Sequence, residues 1–282
     1  MNTTSILRTA TLPIAAAIAL AAGAGTAQSQ TIIDQAKALA GNVTPGDGRG
    51  FPVTISQPGS YVLTSNLIVP AGSAGVHITA PNVTLDLNGF SIEGPVSCTQ
   101  SPSTLHVSCS QPVDVSYTVI GIRTEPQASY VTLRNGNVRG FAAYGLWLQS
   151  AHYAVSDMTF GSNASRGAVI TANGSGFAGR VTRSTFTTNG GAGATVYGGL
   201  VEHSVFSGNH SHGIDIERVA VLHSVASYNG QYGIRGDSHN PGVGVIGQPS
   251  TVLGSTIVGN KAGAISGYLF SLGSNFDGAA PF

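Results

Sequence analysis

The sequence predicts an all-β chain folded as a single-stranded right-handed parallel β-helix, a solenoid of about seven rungs with a short N-terminal capping helix. Three observations predict it. The first is a repeat, Val-x-x-Ser-x-apolar-x-x-Asn-x-x-x-Gly, with clean copies beginning at Val181, Val201 and Val221 and variants at Val155 and Val252. The second is that each copy is too short for a strand-helix-strand unit yet carries three short apolar runs, as in Gly213-Ile-Asp-Ile216, Ala220-Val221 and Val205-Phe206. The third is the 39 glycines, which suit a turn-dense β chain better than a helical one.

The copies start 26, 20, 20 and 31 residues apart. Asn163, Asn189, Asn209, Asn229 and Asn260 hold the Asn position, and Gly167, Gly193, Gly213, Gly233 and Gly263 the Gly that follows. Backbone chemistry accounts for both. Asn tolerates a left-handed bend between strands and its stacked amides can bond as a ladder, while Gly opens the next strand where a side chain would crowd. Earlier segments fit with other turn residues: Gly75-Val-His-Ile78 leads to Val83-Thr-Leu-Asp-Leu-Asn-Gly89, and Gly121-Ile-Arg-Thr124 to Val131-Thr-Leu-Arg-Asn-Gly136. An open coil end exposes strand edge and apolar core, so a cap is expected. Residues Thr31 to Ala40 supply it as a helix, with Ile32, Ile33, Ala36 and Leu39 on one face and Gly41 to end it.

Arg8, an apolar run from Leu12 to Ala22 too short to span a bilayer, and small residues ending at Ala27 before Gln28 read as a secretory signal peptide over 1–27. Residues 28–50 are then an N-terminal capping segment and 51–282 one β-helix domain, since no low-complexity linker or charge run marks a joint. No second apolar stretch is long enough for a transmembrane helix, so the mature chain is expected in a periplasm or outside the cell. Charged residues are 9% and balance to zero, which argues against a nucleic-acid surface. Cys98 and Cys109 share one polar segment, and export would put them where disulfides form. Pairing would staple a local excursion, worth about 3 kcal/mol in the chain-entropy model, and two free thiols are the other reading.

Pro58-Gly-Ser-Tyr-Val-Leu63, Asn82-Val-Thr-Leu-Asp-Leu-Asn-Gly-Phe90 and the Asn/Gly rungs resemble the pectate-lyase-like superfamily of right-handed parallel β-helix proteins, over nearly all of the mature chain. The resemblance implies a groove lined by the strand after the Gly. It implies a function among lyases, hydrolases and epimerases of acidic polysaccharides, phage tailspikes and members with no known reaction. Ser211-His212-Gly213 is similar to the Gly-His-Gly element of polygalacturonase-like hydrolases, but their Asp-Asp pair is absent. Tyr232-Gly-Ile-Arg-Gly-Asp237-Ser-His239 has the residue types of the mannuronan-epimerase Tyr-Gly-x-Asp-Pro-His element, with two extra residues and Ser for Pro.

Aligning the outward positions of the groove strand gives two columns. The first reads His77, Arg123, Trp147, Val169, Thr195, Asp215, Arg235, Ile265, and the second Thr79, Glu125, Gln149, Thr171, Tyr197, Glu217, Asp237, Gly267. Neighbours in a column lie about 5 Å apart. Asp215 beside Arg235 is therefore an ordinary cross-strand ion pair in one reading, and with Asp237 and His212 a catalytic set in the other. Glu217 beside Asp237 sets two carboxylates together that must share a proton, bind a cation or lie apart. A Ca²⁺ site at Glu217 and Asp237 is one expectation, and loss of register through the insertion after Gly236 is the other. Trp147, Tyr197, Tyr232 and His239 are the candidate sugar-binding side chains. His203 and His223 stack in a column with Arg183 and Asp157, where a polar bend explains them without a metal because no third ligand is evident.

Two functions of different class fit. One is binding or processing of an acidic polysaccharide through Asp215, Glu217, Arg235 and Asp237. The other is a non-catalytic structural or adhesive rod, which sparse charge and incomplete motifs favour. Whether the chain is an enzyme stays open. The excursions Pro95 to Tyr117 and Gly236 to Thr251 are walls of a site or covers for an edge.

Overall fold

The computed structural model describes residue 1 and residues 30–111, 113–114, 117–172, 179–236, 249–273 and 275–278. The expected signal peptide over 1–27, and Asp237 and His239, lie outside these apart from Met1. Twenty-four strands join in one curled sheet whose pairings are parallel, and it reads most simply as three stacked sheets around one core. The first takes Val53–Ile55, Val76–Ile78, Ile122–Thr124, Leu146–Ser150, Ala168–Ala172, the opening halves of Ala194–Glu202 and Ile214–Leu222, Tyr232–Gly236 and Gly263–Gly267. The second runs from Thr31–Ile33 and Gly59–Leu63 to Ser250–Leu253 and Leu269–Leu272, and the third from Leu67–Ile68 to Phe276–Gly278. The repeat undercounts the turns because Val53–Ile55 and Leu146–Ser150 join the first sheet without its Asn.

Alternation sorts the side chains. Val76, Ile122, Leu146, Ala168, Ala194, Ile214 and Ile234 point inward on successive first-sheet strands and are buried. Phe160, Phe186 and Phe206 stack inside at centroid spacings of 5.2 and 4.9 Å, and Ala226 ends the stack. No helix among the described residues is long and apolar enough to cross a membrane.

The expected amide ladder forms. Each Asn Nδ2 donates to the Oδ1 of the next, at 3.0, 2.9, 3.0 and 2.8 Å from Asn163 through Asn189, Asn209 and Asn229 to Asn260. The same Oδ1 accepts the backbone N–H of the preceding Asn, and Nδ2 of Asn189, Asn209, Asn229 and Asn260 also donates to a core carbonyl, as from Asn209 to Phe186 O. A second ladder runs beside it, from Ser184 N to Ser204 Oγ, Ser204 N to Ser224 Oγ and Ser224 N to Ser255 Oγ, each at 3.2 Å. The left-handed residue is not the Asn. It is the one before, with φ near +54° at Ser162, Thr188 and Tyr228, because the amide can enter the core only after the chain has turned. Gly213 follows for lack of space: a Cβ there would lie 2.5 Å from Gly233 O and 2.8 Å from Asn229 Nδ2.

The N-terminus departs from expectation. Thr31–Ile33 is a strand, paired with Tyr61–Leu63, and the helix is only Gln35–Ala40, capped by Asp34, whose Oδ1 accepts Lys37 N–H at 2.6 Å, and ended at Gly41. An open sheet edge offers β-branched Ile32 and Ile33 backbone partners that an isolated turn of helix cannot. Ile33 then points into the core, Ile32 is 54% exposed, and Leu39 is also exposed.

The excursion after Pro95 is a strap. Cys98–Gln100 and Val107–Cys109 form an antiparallel hairpin closed by the Cys98–Cys109 disulfide. Val96, Cys98 and Val107 pack on Ala164, Val107 N–H reaches His210 Nδ1 at 3.3 Å, and Gln100 Nε2 donates to Tyr228 O at 2.9 Å. The strap therefore crosses the corners of several successive turns.

Removing one rung of the ladder tests this account. Asn209→Ala strands the amide of Asn189 and the carbonyl of Phe186, and is expected to lower stability by about 3 kcal/mol in urea titration, whereas exposed His203→Ala stays within about 0.5 kcal/mol.

Candidate functional site

The ladders fix which outward side chains share a column on the first sheet. The observed neighbours are His77, Arg123, Trp147, Val169, Thr195, Asp215 and Arg235, as the spacing predicts. The column then departs from it: Arg235 lies beside Ser266, not Ile265, and Gly267 lies beside Gly236. Gly263 follows Asn260 by three residues instead of four, and keeping Ile265 in the core next to Ile234 decides the register. In the second column Gln149, Thr171, Tyr197 and Glu217 are neighbours as expected.

Asp215, His212 and Arg235 come together. Asp215 faces outward yet is only 2% exposed, and its Oδ1 accepts from Arg235 Nε at 2.9 Å. His212 Nε2 stands 4.0 Å from the same oxygen. His212 Nδ1 accepts the backbone N–H of Tyr232 at 3.2 Å, which puts the ring proton on Nε2, toward the carboxylate. The His212 and Tyr232 rings stack with centroids 5.8 Å apart. Next in the column, Thr195 Oγ1 is buried with no hydrogen-bond partner among the described residues. The two terminal amino groups of Arg235 bond to no described residue, and its side chain is 37% exposed.

The remaining predicted residues divide. Trp147, Tyr197 and Tyr232 are half-buried on this face. Glu217 meets Arg218, with Arg218 Nε 3.7 Å from Glu217 Oε1. Asp237 and His239 lie outside the described residues, so the Glu217/Asp237 pairing has no geometry here. Among the described residues no three His, Cys, Asp or Glu gather as a metal site would require. His203 and His223 stack at 5.4 Å on a bend of left-handed residues, φ +50° and +46°, above the Arg183–Asp157 ion pair.

A second cluster lies on the same face, and its Tyr144 side falls outside both columns. Glu125 accepts from His77 Nε2 at 2.7 Å and lies 3.3 Å from Arg123, whose guanidinium sits 5.5 Å over the Trp147 ring. Tyr144 meets Trp147 edge-on at 6.1 Å and stacks on Tyr117 at 5.1 Å. Burial holds the Tyr144 phenol above its ordinary pKa, with the Arg166 charge opposing. One further column would have exposed it. Tyr144, Arg166, Ala192, His212 and Tyr232 each precede the Gly that opens a groove strand, and their carbonyls accept from successive such Gly residues. Trp147 and Asp215 are three steps apart, about 14 Å, with neutral Val169 and Thr195 between.

The comparisons bear on the fold. Several solved structures superpose, among them two epimerases. The periplasmic alginate epimerase AlgG does so with a TM-score of 0.50 and 14% identity over 83% of this chain and 52% of its own. The A-module of the Azotobacter vinelandii mannuronan C-5 epimerase AlgE4 does so with 0.51 and 15% over 89% and 78%. This chain thus spans about half the length of the first. No curated protein sequence matches it. Residues 120–275, more than half of the chain, match the family described as "Right handed beta helix region". With its stacked parallel sheets and continuous amide ladder, the chain belongs to the right-handed β-helix family.

Proposed function

We propose that this is an exported β-helix protein that binds or processes an acidic polysaccharide along the outward face of the first sheet. The observation that carries the reading is Asp215, a carboxylate buried on an outward face, held by an arginine whose terminal amino groups bond to no described residue, and faced by a histidine. Arginine suits planar carboxylates, and its terminal amino groups would take the carboxylate of a uronate. The buried Thr195 hydroxyl beside Asp215, without a partner among the described residues, supports a ligand hydroxyl there. Arg123, with Trp147 beneath it, offers the same pairing of cation and sugar-stacking ring farther along. Two of the structures that superpose are named for epimerases of alginate and mannuronan. Export rests on the pattern of residues 1–27 and agrees with the Cys98–Cys109 disulfide.

In a lyase or epimerase, a base removes the proton at C5 while the adjacent carboxylate is neutralised. Arg235 would neutralise the carboxylate, and His212 and Asp215 are the proton-carrying groups beside it. A non-catalytic rod is the second reading. The hydrogen bond that commits Asp215 to Arg235 favours it, because the same contact is an ordinary ion pair between rungs.

The test is incubation of the mature protein with pectate, alginate and other uronate polymers, following retention, unsaturated ends, reducing ends and epimer ratio. Arg235→Ala should weaken retention about tenfold or more, with Arg235→Lys restoring part of it. If the groove is catalytic, His212→Gln should lower turnover by about 10²-fold or more at unchanged retention. Retention and turnover unaffected by these changes, or no retention and no product on any polymer, would sink the reading. The cation expectation has its own measurement: calcium titration should give binding heat in the native protein that Glu217→Gln abolishes, and identical negligible heats would remove Ca²⁺ from the account.

A further inference from the structure

Away from the groove, the strap roofs a notch in the side of the coil. Its floor is Gly208, a left-handed residue (φ +66°) where the turns on either side carry Thr188 and Tyr228. The missing side chain there leaves room for the Gln100 amide of the strap, whose Oε1 would lie 3.0 Å from a Cβ at this position. Thr187, Thr188 and Ser207 wall the notch, Tyr228 stands at one side with its ring over Gly259, and Gln100, Pro102 and Leu105 of the strap close the top. The cavity measures about 400 Å³, within the range of small-molecule sites.

The lining has a definite chemistry. It carries no charged side chain, unlike the groove with its Arg, Asp, Glu and His. Gln100 Nε2 is committed to Tyr228 O at 2.9 Å and Leu105 O at 3.3 Å, which fixes the amide and leaves Oε1 facing Gly208 as an acceptor. Thr187 and Thr188 hydroxyls bond each other at 3.2 Å, and Ser207 Oγ has no partner among the described residues. Tyr228 lines the notch and is 53% exposed, so ring surface at its side is open to solvent.

We propose that this notch binds one ring of a neutral sugar. A pyranose has an apolar C–H face for Tyr228 and hydroxyls for Gln100 Oε1, Ser207 Oγ and the threonine pair. A uronate would lose the solvation of its carboxylate against a lining with no cation to receive it. Because strap and coil each supply part of the site, the disulfide-closed hairpin is a binding element as well as a cover. The site shares no residue with the groove, and so stands whether or not the groove takes an acidic polymer.

The experiment is amide chemical-shift mapping of the mature protein with maltotriose, mannotriose and galactotriose, and with trigalacturonate as the charged comparison. At least one neutral trisaccharide should shift the Thr188, Ser207, Gly208 and Tyr228 amides, with trigalacturonate leaving them in place. Tyr228→Ala should weaken that binding about tenfold, and Tyr228→Phe much less. Since Tyr228 is exposed, the variant is expected to keep the native melting temperature, and Ser207→Ala gives an independent loss of a few-fold. The proposal is overturned if none of the three neutral sugars moves these amides, if trigalacturonate moves them equally, or if a folded Tyr228→Ala binds as the native protein does.

Discussion

The hydrogen bonds between stacked Asn side chains are the contact on which the rest of the coil depends. Each buried amide is both donor and acceptor, and Asn189, Asn209 and Asn229 are satisfied by an amide on either side together with a core carbonyl and a backbone N–H. A displaced Asn would leave polar atoms unpaired in an apolar interior, at about 1–3 kcal/mol for each group. That cost locks adjacent turns to a single register through Asn163, Asn189, Asn209, Asn229 and Asn260. The Ser ladder repeats the constraint one corner earlier, and the Phe160, Phe186 and Phe206 stack fills the space between.

Register is what turns a sparsely charged chain into one with local chemistry. Holding turns about 4.8 Å apart sets Asp215 directly beside Arg235 and Arg123 directly beside Trp147. Burial then separates these contacts from surface ion pairs. Asp215 is nearly inaccessible, whereas Arg183 and Asp157, which bond at 2.7 and 2.8 Å, stand in solvent and are worth little. The strap and the groove differ in charge: Asp215, Arg235, Glu125 and Arg123 lie over the first sheet, whereas uncharged amide, hydroxyl and aromatic groups line the notch where the hairpin meets the corner near Gly208.

The fold was legible because its determinants repeat. Asn and Gly positions report backbone constraints that recur every turn, so spacing alone gave the core columns and most outward neighbours. Legibility failed where the period changed. One residue fewer between Asn260 and Gly263 moved Ile265 inward and Ser266 to the side of Arg235, a choice made by burial and not by the motif. Thr31–Ile33 went the other way from its helical pattern because an open sheet edge was waiting for it, which local periodicity cannot see. The left-handed bend fell one residue before the Asn because Thr188 or Tyr228 must turn the chain before the amide can enter the core.

The site was legible in part. Asp215, Arg235 and His212 were found because they share a strand or adjoin one. The Tyr117, Tyr144 and Arg166 side of the face was missed because those residues sit in turns and an excursion, outside the two strand columns. The strap's docking could not be read at all: Gln100 and Tyr228 are 128 residues apart, and no periodic signal links them. The most direct check on the central claim is hydrogen exchange of the Asn side-chain amides by NMR. The Nδ2 protons of Asn189, Asn209 and Asn229 should exchange as slowly as the buried backbone amides of Ile214 and Ile216. Exchange at the rate of the exposed side chain of Asn42 would contradict the ladder, and with it the register from which the groove columns are built.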